Sequence, residues 1–143
     1  MKTVSQILAA KRTEVITVEA GEMVLHALSL MEMNNIGALL VVADGKPVGI
    51  LTERDYARKV VLRGRTSMTT QVKEVMTARV ISVTLAQTLE ECMAIMTERR
   101  IRHLPVTGED GTVVGLVSIG DLVKETIAGQ SFDLARLEHH LTH

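Results

Sequence analysis

The sequence predicts an α+β fold made of two copies of one β-α-β-β-α unit, packed against each other through a pseudo-twofold axis. Two internal matches indicate the duplication. Residues 15–18 (VITV) return as residues 80–83 (VISV), and the phrase GILTERD at 49–55 returns as GLVSIGD at 115–121. A unit of about 60 residues is too small to bury a sizeable core alone, so the copies are expected to share one.

Each copy repeats the same elements in the same order. A short β-branched strand comes first, at 15–18 and at 80–83. An amphipathic helix follows, because apolar residues recur at i, i+3, i+4 and i+7. These residues are Val24, Ala27, Leu28 and Met31 in the first copy and Leu89, Cys92, Met93 and Met96 in the second.

Two apolar runs and a second helix complete each copy. The runs predict β-hairpins with strands at 38–43 and 48–51, and at 104–107 and 113–117. The second helices are predicted at 55–63 and 121–128.

The chain divides into four segments. The repeats occupy residues 4–63 and 72–128, and residues 64–71 link them. The tail at 129–143 is predicted to be a short amphipathic helix, since Leu134, Leu137 and Leu141 fall on one side. Its histidines, His139, His140 and His143, are interpreted as a polar chain end and not as a metal site.

The composition predicts a folded protein that stays in the cytoplasm. Of the 143 residues, 46% are hydrophobic and only 1% aromatic, so an aliphatic core is expected. A net charge of -1 gives no overall attraction to nucleic acid or anionic lipid. No apolar run approaches the roughly 20 residues that cross a bilayer. The single cysteine, Cys92, lies on an apolar helix stripe and is predicted to be buried.

The repeated phrase has two interpretations. Thr52 with Asp55, and Ser118 with Asp121, fit the capping box in which a hydroxyl and a carboxylate satisfy the free N–H groups of a helix start. Thr88 begins a third such pattern, which shows how common the signal is. In the second interpretation the helix start attracts a phosphate, and the aspartate accepts hydrogen bonds from both hydroxyls of a ribose.

The second copy differs from the first at one strand entrance. It carries Arg102 and His103 where the first copy has Gly37 and Ala38. If the pseudo-twofold brings this entrance near the helix start of the other copy, the basic pair can reach a phosphate held near Asp55. A solvated arginine and an ordinary buried histidine are the alternatives.

Taken together, these features resemble tandem cystathionine-β-synthase (CBS) domains, the arrangement called a Bateman module. The resemblance covers residues 4–127 and rests on the two phrases, the two β-branched strands, RHLPV at 102–106 and VKEVM at 72–76. It implies sheets packed against each other, helices outside, and two clefts that bind adenosine-containing ligands. AMP or NAD(H) is favoured, because Arg54 at the end of the first phrase and Arg58 and Lys59 after it could supply a further cation for a diphosphate. ADP, ATP and S-adenosylmethionine are further candidates.

The resemblance also implies which residues bind the ligand. The first cleft would use Thr17, Val18, Ala20, Ile36, Ala38, Thr52, Asp55, Arg102 and His103. Gly37, Arg54 and Pro105 are further expected ligand-binding residues. The second cleft would use Ser82, Thr84, Ile101, Ser118 and Asp121. The second cleft lacks a basic pair, because Gly37 and Ala38 stand where the first cleft has Arg102 and His103. The phosphate is therefore expected in the first cleft.

The sequence is compatible with three functional classes to different degrees. A non-catalytic regulatory module that senses adenine nucleotides is preferred, and a ligand-independent dimerisation module with a vestigial cleft is the alternative. An enzyme is disfavoured, because the chain has no nucleophile elbow, P-loop or paired cysteines. A homodimer is expected through apolar residues of the second helices, namely Val60, Val61, Leu122 and Ile127. A regulatory module of this kind also needs a downstream protein partner.

Overall fold

The computed structural model describes residues 2–11, 14–78 and 80–128, so the predicted tail helix lies outside the described residues. The first repeat contains helix α1 (Val4–Lys11), strand β1 (Thr17–Glu19), helix α2 (Val24–Asn34), strands β2 (Ala38–Ala43) and β3 (Lys46–Thr52), and helix α3 (Glu53–Tyr56), which continues as a π-helical turn (Ala57–Val61). The second contains helices α4 (Val72–Val75) and α5 (Leu89–Arg99), strands β4 (His103–Thr107) and β5 (Val113–Ser118), and helix α6 (119–128). This mixture confirms the α+β class.

The two sheets follow the predicted hairpins. In the first repeat β1 lies parallel to β2, which pairs antiparallel with β3; in the second, β4 pairs antiparallel with β5. The turn between β2 and β3 consists of Asp44 and Gly45, whose φ angles are 53° and 77°. Positive φ at both positions defines a two-residue hairpin turn, so β3 begins at Lys46 and not at residue 48 as predicted.

The strand predicted at 80–83 is reduced to a single bridge. Val83 pairs in parallel with Val106, donating to the carbonyl of Pro105 and accepting from Thr107. Extending this parallel ladder toward Ile81 requires an N–H at position 105, and proline has none. In the first repeat the equivalent residue of β2 is Leu40, and there the ladder runs over three residues, although it begins at 17 and not at 15.

Both helix starts in the repeated phrase are capped as predicted. Thr52 is the N-cap of α3 and forms a full capping box with Asp55, so this helix begins at Glu53 and not at 55. Ser118 and Asp121 exchange the same two hydrogen bonds at the start of α6, at 2.9 and 3.1 Å. The capping interpretation therefore holds in both repeats.

Helices α1 and α4, the short lead-ins that precede the first strand of each repeat, pack on the core of the other repeat. Val72 and Val75 of α4 belong to the core of the first repeat, with Val18, Val24 and Leu39. Conversely, the α1 residues Val4 and Ile7 belong to the core of the second repeat, which also contains Val83, Leu89, Cys92 and Leu104. The two repeats thus exchange their lead-ins.

The glycine that opens each repeated phrase is explained by this exchange. A Cβ at Gly49 would lie 2.5 Å from Sδ of Met76 and 2.9 Å from the carbonyl oxygen of Thr77. A Cβ at Gly115 would lie 2.6 Å from Cδ1 of Leu8. At both positions glycine leaves room for the lead-in of one repeat beside the strand of the other, and at Gly49 the neighbour includes backbone.

Two features show how the sheets meet. Leu40 and Val42 are buried, although they alternate with the β2 residues that face the helices. The backbone N–H of Val113 donates to the carbonyl of Gly45 at 3.1 Å, which joins one hairpin to the other. The second face of β2 is therefore covered as well, in agreement with sheets that pack against each other.

The second helices correct one prediction. Val60 is only 1% exposed and Leu122 is fully buried, so both belong to the core and not to a dimerisation surface. Val61 and Ile127 are exposed as predicted, at 53% and 56%. Among the described residues, no helix is long and apolar enough to cross a membrane.

Candidate ligand-binding clefts

The first candidate site, cleft A, has a volume of about 550 Å³ and lies between the two repeats. It is bounded by the end of β3 and the start of α3 on one side and by the entrance of β4 on the other. Its lining residues are Gly37, Ala38, Ile50, Thr52, Glu53, Arg54, Asp55, Thr77, Val80, Arg100, Ile101, Arg102 and His103. The structure therefore brings Arg102 and His103 into the same cleft as Thr52 and Asp55.

Asp55 is the most enclosed polar group of cleft A, at 8% exposure. Its Oδ2 accepts hydrogen bonds from the backbone N–H and the hydroxyl of Thr52, both at 3.1 Å. Its Oδ1 pairs with Nζ of Lys59 at 3.1 Å and accepts a longer bond from the Thr77 hydroxyl at 3.3 Å. The carboxylate is thus fixed in orientation, and Thr77 is its weakest partner.

Lys59 also connects the helical segment after Thr52 to the lead-in helix α4. Its Nζ donates to the carbonyl of Val75 at 3.1 Å while it pairs with Asp55. Thr77 follows the same lead-in helix, α4, and reaches the other side of that carboxylate. Asp55 is therefore the junction between the first repeat and the segment that begins the second.

Cleft A carries basic residues on both of its sides. Arg54, Arg100 and Arg102 are exposed and come from three different elements, the start of α3, the end of α5 and the entrance of β4. Burial and the positive charge of Lys11 lower the pKa of His103, Asp121 opposes them, and Arg102 lowers it further. The imidazole is thus largely neutral at pH 7, and an anion bound beside it would favour its protonation.

The second candidate site, cleft B, is related to cleft A by the pseudo-twofold and has a volume of about 750 Å³. It opens beside the phrase of the second repeat and the entrance of β2. Its lining residues are Leu8, Lys11, Glu14, Val15, Ile16, Asn34, Ile36, Gly37, Ala38, His103, Val114, Gly115, Leu116 and Ser118. Gly37, Ala38 and His103 line both clefts and form the wall between them.

Cleft B has a cation that the sequence did not reveal. Nζ of Lys11 pairs with Oδ2 of Asp121 at 2.9 Å and donates to the carbonyl of Leu116 at 3.0 Å. Burial raises the pKa of Asp121, but the hydrogen bonds from Lys11 and from the Ser118 backbone outweigh it and leave the pKa below its usual range. Lys11 ends α1, so it reaches this site only because the lead-ins are exchanged.

Several predicted site residues lie elsewhere. Thr17, Val18, Ala20, Pro105, Ser82, Thr84 and Asp121 line neither cleft A nor cleft B. Val18 and Pro105 are buried in the sheets, because the strands themselves point their side chains inward. The cleft walls are instead formed by residues that precede the strands, at 14–16 in cleft B and at Val80 in cleft A.

Two isoleucines line the cleft opposite to the one expected for each. Ile36, expected beside the first phrase, lines cleft B with Ser118. Ile101, expected beside the second phrase, lines cleft A with Thr52. The reason is the pseudo-twofold, which places the strand entrance of each repeat opposite the phrase of the other.

The fold and the two clefts define a class of protein: a small α+β module of two repeats with a cleft on each side of their interface. A family model described as the CBS domain matches residues 4–62 and again residues 72–127. The chain belongs to the CBS-domain family, as a tandem pair. Stand-alone CBS-domain proteins are generally regulatory and not catalytic.

Two curated proteins are similar in sequence, one over nearly its whole length and one over part of it. The CBS domain-containing protein YhcV of Bacillus subtilis is 33% identical over 141 residues, which cover 97% of this chain and 99% of the relative. The mitochondrial CBS domain-containing protein CBSX3 of Arabidopsis thaliana is 40% identical over 123 residues, 82% of this chain. The matched part is only 59% of the Arabidopsis protein.

Solved structures share the fold over most of the chain. A CBS-domain protein from Burkholderia ambifaria is 54% identical, with a TM-score of 0.81 over 90% of this chain and 96% of that chain. The CBS domain pair of protein MJ0100, in complex with 5′-methylthioadenosine and S-adenosyl-L-methionine, is 25% identical. Its TM-score is 0.75, and the match covers 87% of this chain and 99% of that chain.

Proposed function

We propose that this protein is a non-catalytic regulatory module that binds an adenosine-containing ligand in cleft A, with AMP or NAD(H) favoured. One observation carries the proposal: a fixed carboxylate at a helix start, Asp55, shares one cleft with Arg102 and His103 from the other repeat. A carboxylate suits the two hydroxyls of a ribose, and a guanidinium beside an imidazole suits a phosphate. The adenosine ligands of the MJ0100 domain pair support the choice.

The ligand would be held by groups from both repeats. Ile101 and Val80 offer apolar surface for the base, and Asp55 offers its carboxylate to the ribose. Both oxygens of Asp55 already accept hydrogen bonds, so a ribose hydroxyl must replace a present partner. Thr77 is the partner that yields, since its 3.3 Å bond is the longest.

This replacement provides a route for a signal. Thr77 follows α4, the lead-in that packs on the first repeat, and Lys59 holds α4 to the same carboxylate. Binding that releases Thr77 shifts the balance between two arrangements of the repeats, by as much as the ligand prefers one of them. Such a module reports adenine nucleotide levels to a downstream protein.

The test is a thermal unfolding titration with AMP, ADP, ATP, NAD+, NADH and S-adenosylmethionine. A ligand at about 100 times its dissociation constant adds about 2.7 kcal/mol of stability, which raises the midpoint by about 5–10 °C. Arg102→Gln leaves the capping box intact and is expected to remove most of this shift for phosphorylated ligands. Asp121→Asn is expected to leave it unchanged. A wild-type protein that responds to none of these compounds would overturn the proposal.

A ligand-independent dimerisation module is the second candidate, favoured by apolar residues exposed on the second helices. Val61 and Leu62 are exposed after α3, and Val123 and Ile127 are exposed on α6. A helix surface of this kind suits a second copy of the chain. Sedimentation of Val61→Ser with Ile127→Ser tests it: the doubly substituted protein is expected to be a monomer, with or without nucleotide. If the wild type is itself a monomer, this candidate fails.

A further inference from the structure

Arg100 differs from the other basic residues of cleft A in its backbone conformation. It is the C-cap of α5 and adopts the left-handed region, with φ 55° and ψ 45°. The equivalent residue of the first repeat is Asn35, the C-cap of α2, with φ 51° and ψ 50°. Asparagine tolerates this region and is enriched there, whereas a long side chain is strained in it. The second repeat therefore has arginine at a position where asparagine would adopt the left-handed backbone with less strain.

The side chain of Arg100 adds to an uncompensated positive charge. Arg54, Arg100 and Arg102 line cleft A, and none of the ion pairs formed between described residues includes any of them. Of the two carboxylates in the lining, Asp55 is already paired with Lys59, so Glu53 alone remains to offset the three arginines. The cleft thus carries more positive charge than its own acidic groups offset.

One phosphate does not need so many cations. Arg102 and His103 together provide a bidentate donor and a titratable donor, which is enough for a single phosphate group. Arg54 and Arg100 line the same cleft from two further elements, so the cleft holds two guanidinium groups beyond those that one phosphate needs. This arrangement fits an extended anion with charge on at least two groups.

We infer that Arg100 is a specificity-determining residue of cleft A: it strengthens the binding of adenosine ligands that carry two or more phosphates, and of the two ligands favoured above it therefore favours NAD(H) over AMP. The inference rests on the proposed function, because it assigns a ligand class to the same cleft. ADP and NAD(H) both contain a diphosphate and belong to the selected class, whereas S-adenosylmethionine has no phosphate and does not.

The test is Arg100→Asn, which introduces the residue of the first repeat at the equivalent position. Isothermal titration with ADP and NAD+ is expected to show about tenfold or more weaker binding, the effect of losing one charge-assisted hydrogen bond. Binding of adenosine is expected to change by less than about twofold. The ligand-free variant is expected to unfold at the wild-type temperature or above it, since the strained conformation now suits its residue.

Arg99→Asn is the matched control. It removes the same charge from the neighbouring position, which ends α5 and does not line cleft A. The inference is overturned if both variants weaken ADP binding equally, or if Arg100→Asn weakens adenosine as much as ADP. In either case adenosine ligands still bind, and the proposed function survives. If the wild type binds no adenosine compound, the proposed function itself fails.

Discussion

Replacing Gly49 by alanine places a methyl group where the structure has no room for one. The added Cβ would lie 2.5 Å from Sδ of Met76 and 2.9 Å from the carbonyl oxygen of Thr77. The methionine can rotate away, but the carbonyl is fixed by paired backbone hydrogen bonds of 2.9 Å between Ile50 and Thr77. Relief therefore requires backbone movement, and overpacking of this kind costs about 2–3 kcal/mol. The expected fall in unfolding midpoint is about 4–12 °C.

Two other glycines provide the comparison. A Cβ at Gly115 meets only the end of the Leu8 side chain, at 2.6 Å, so Gly115→Ala is expected to cost about 1 kcal/mol or less. Nothing lies within 4 Å of a Cβ at Gly21, so Gly21→Ala is expected to be neutral or to stabilise by a few tenths of a kcal/mol. Differential scanning fluorimetry of the three variants gives the order. A Gly49→Ala protein as stable as Gly115→Ala would refute the fixed carbonyl.

Three further predictions follow from burial and charge. The depressed pKa of Asp121 means that its carboxylate stabilises the fold above about pH 4 and that this stability is lost as pH falls through the folded pKa. Lys11→Met is therefore expected to lower the unfolding midpoint at pH 7. If the midpoints of the variant and the wild type differ as much at pH 2 as at pH 7, the ion pair is not the cause. Burial raises the pKa of Cys92, so Ellman's reagent should label the native protein far more slowly than the unfolded one; fast native labelling would disagree. Val60→Ala should cost about 2 kcal/mol and Val61→Ala less than about 0.5 kcal/mol in urea unfolding, and equal losses would show that Val60 is not in the core.

Much of the fold is predictable because its signals are local. The apolar period of 3.6 identifies α2 and α5, and the turn at Asp44 and Gly45 defines a hairpin. The shortened ladder at Val83 had a signal too, since Pro105 stands in the strand that must pair with it. The exchange of α1 and α4 had no signal in the sequence. A short apolar stripe shows that a helix is buried, but it does not show on which element the helix packs.

The part of the candidate site that follows from the pseudo-twofold was predictable from the sequence. The pseudo-twofold was enough to expect Arg102 near Asp55, and the structure places them in one cleft. Lys11 and Thr77 were missed because each belongs to an exchanged lead-in, whose position depends on tertiary packing. Arg100 was missed although a signal existed: aligning the repeats sets it against asparagine, a change of charge at a helix end.

The exchanged lead-ins also have a consequence for synthesis on the ribosome. Helix α1 leaves the exit tunnel before the second repeat, but Leu8 packs beside Gly115, and Val4 shares a core cluster with Leu122. Helix α1 must therefore wait for more than a hundred later residues before its apolar side is covered. Until then the nascent chain exposes the apolar side of α1, and exposed apolar surface of this kind promotes aggregation. The core of the second repeat can therefore close only after Leu122 has left the tunnel.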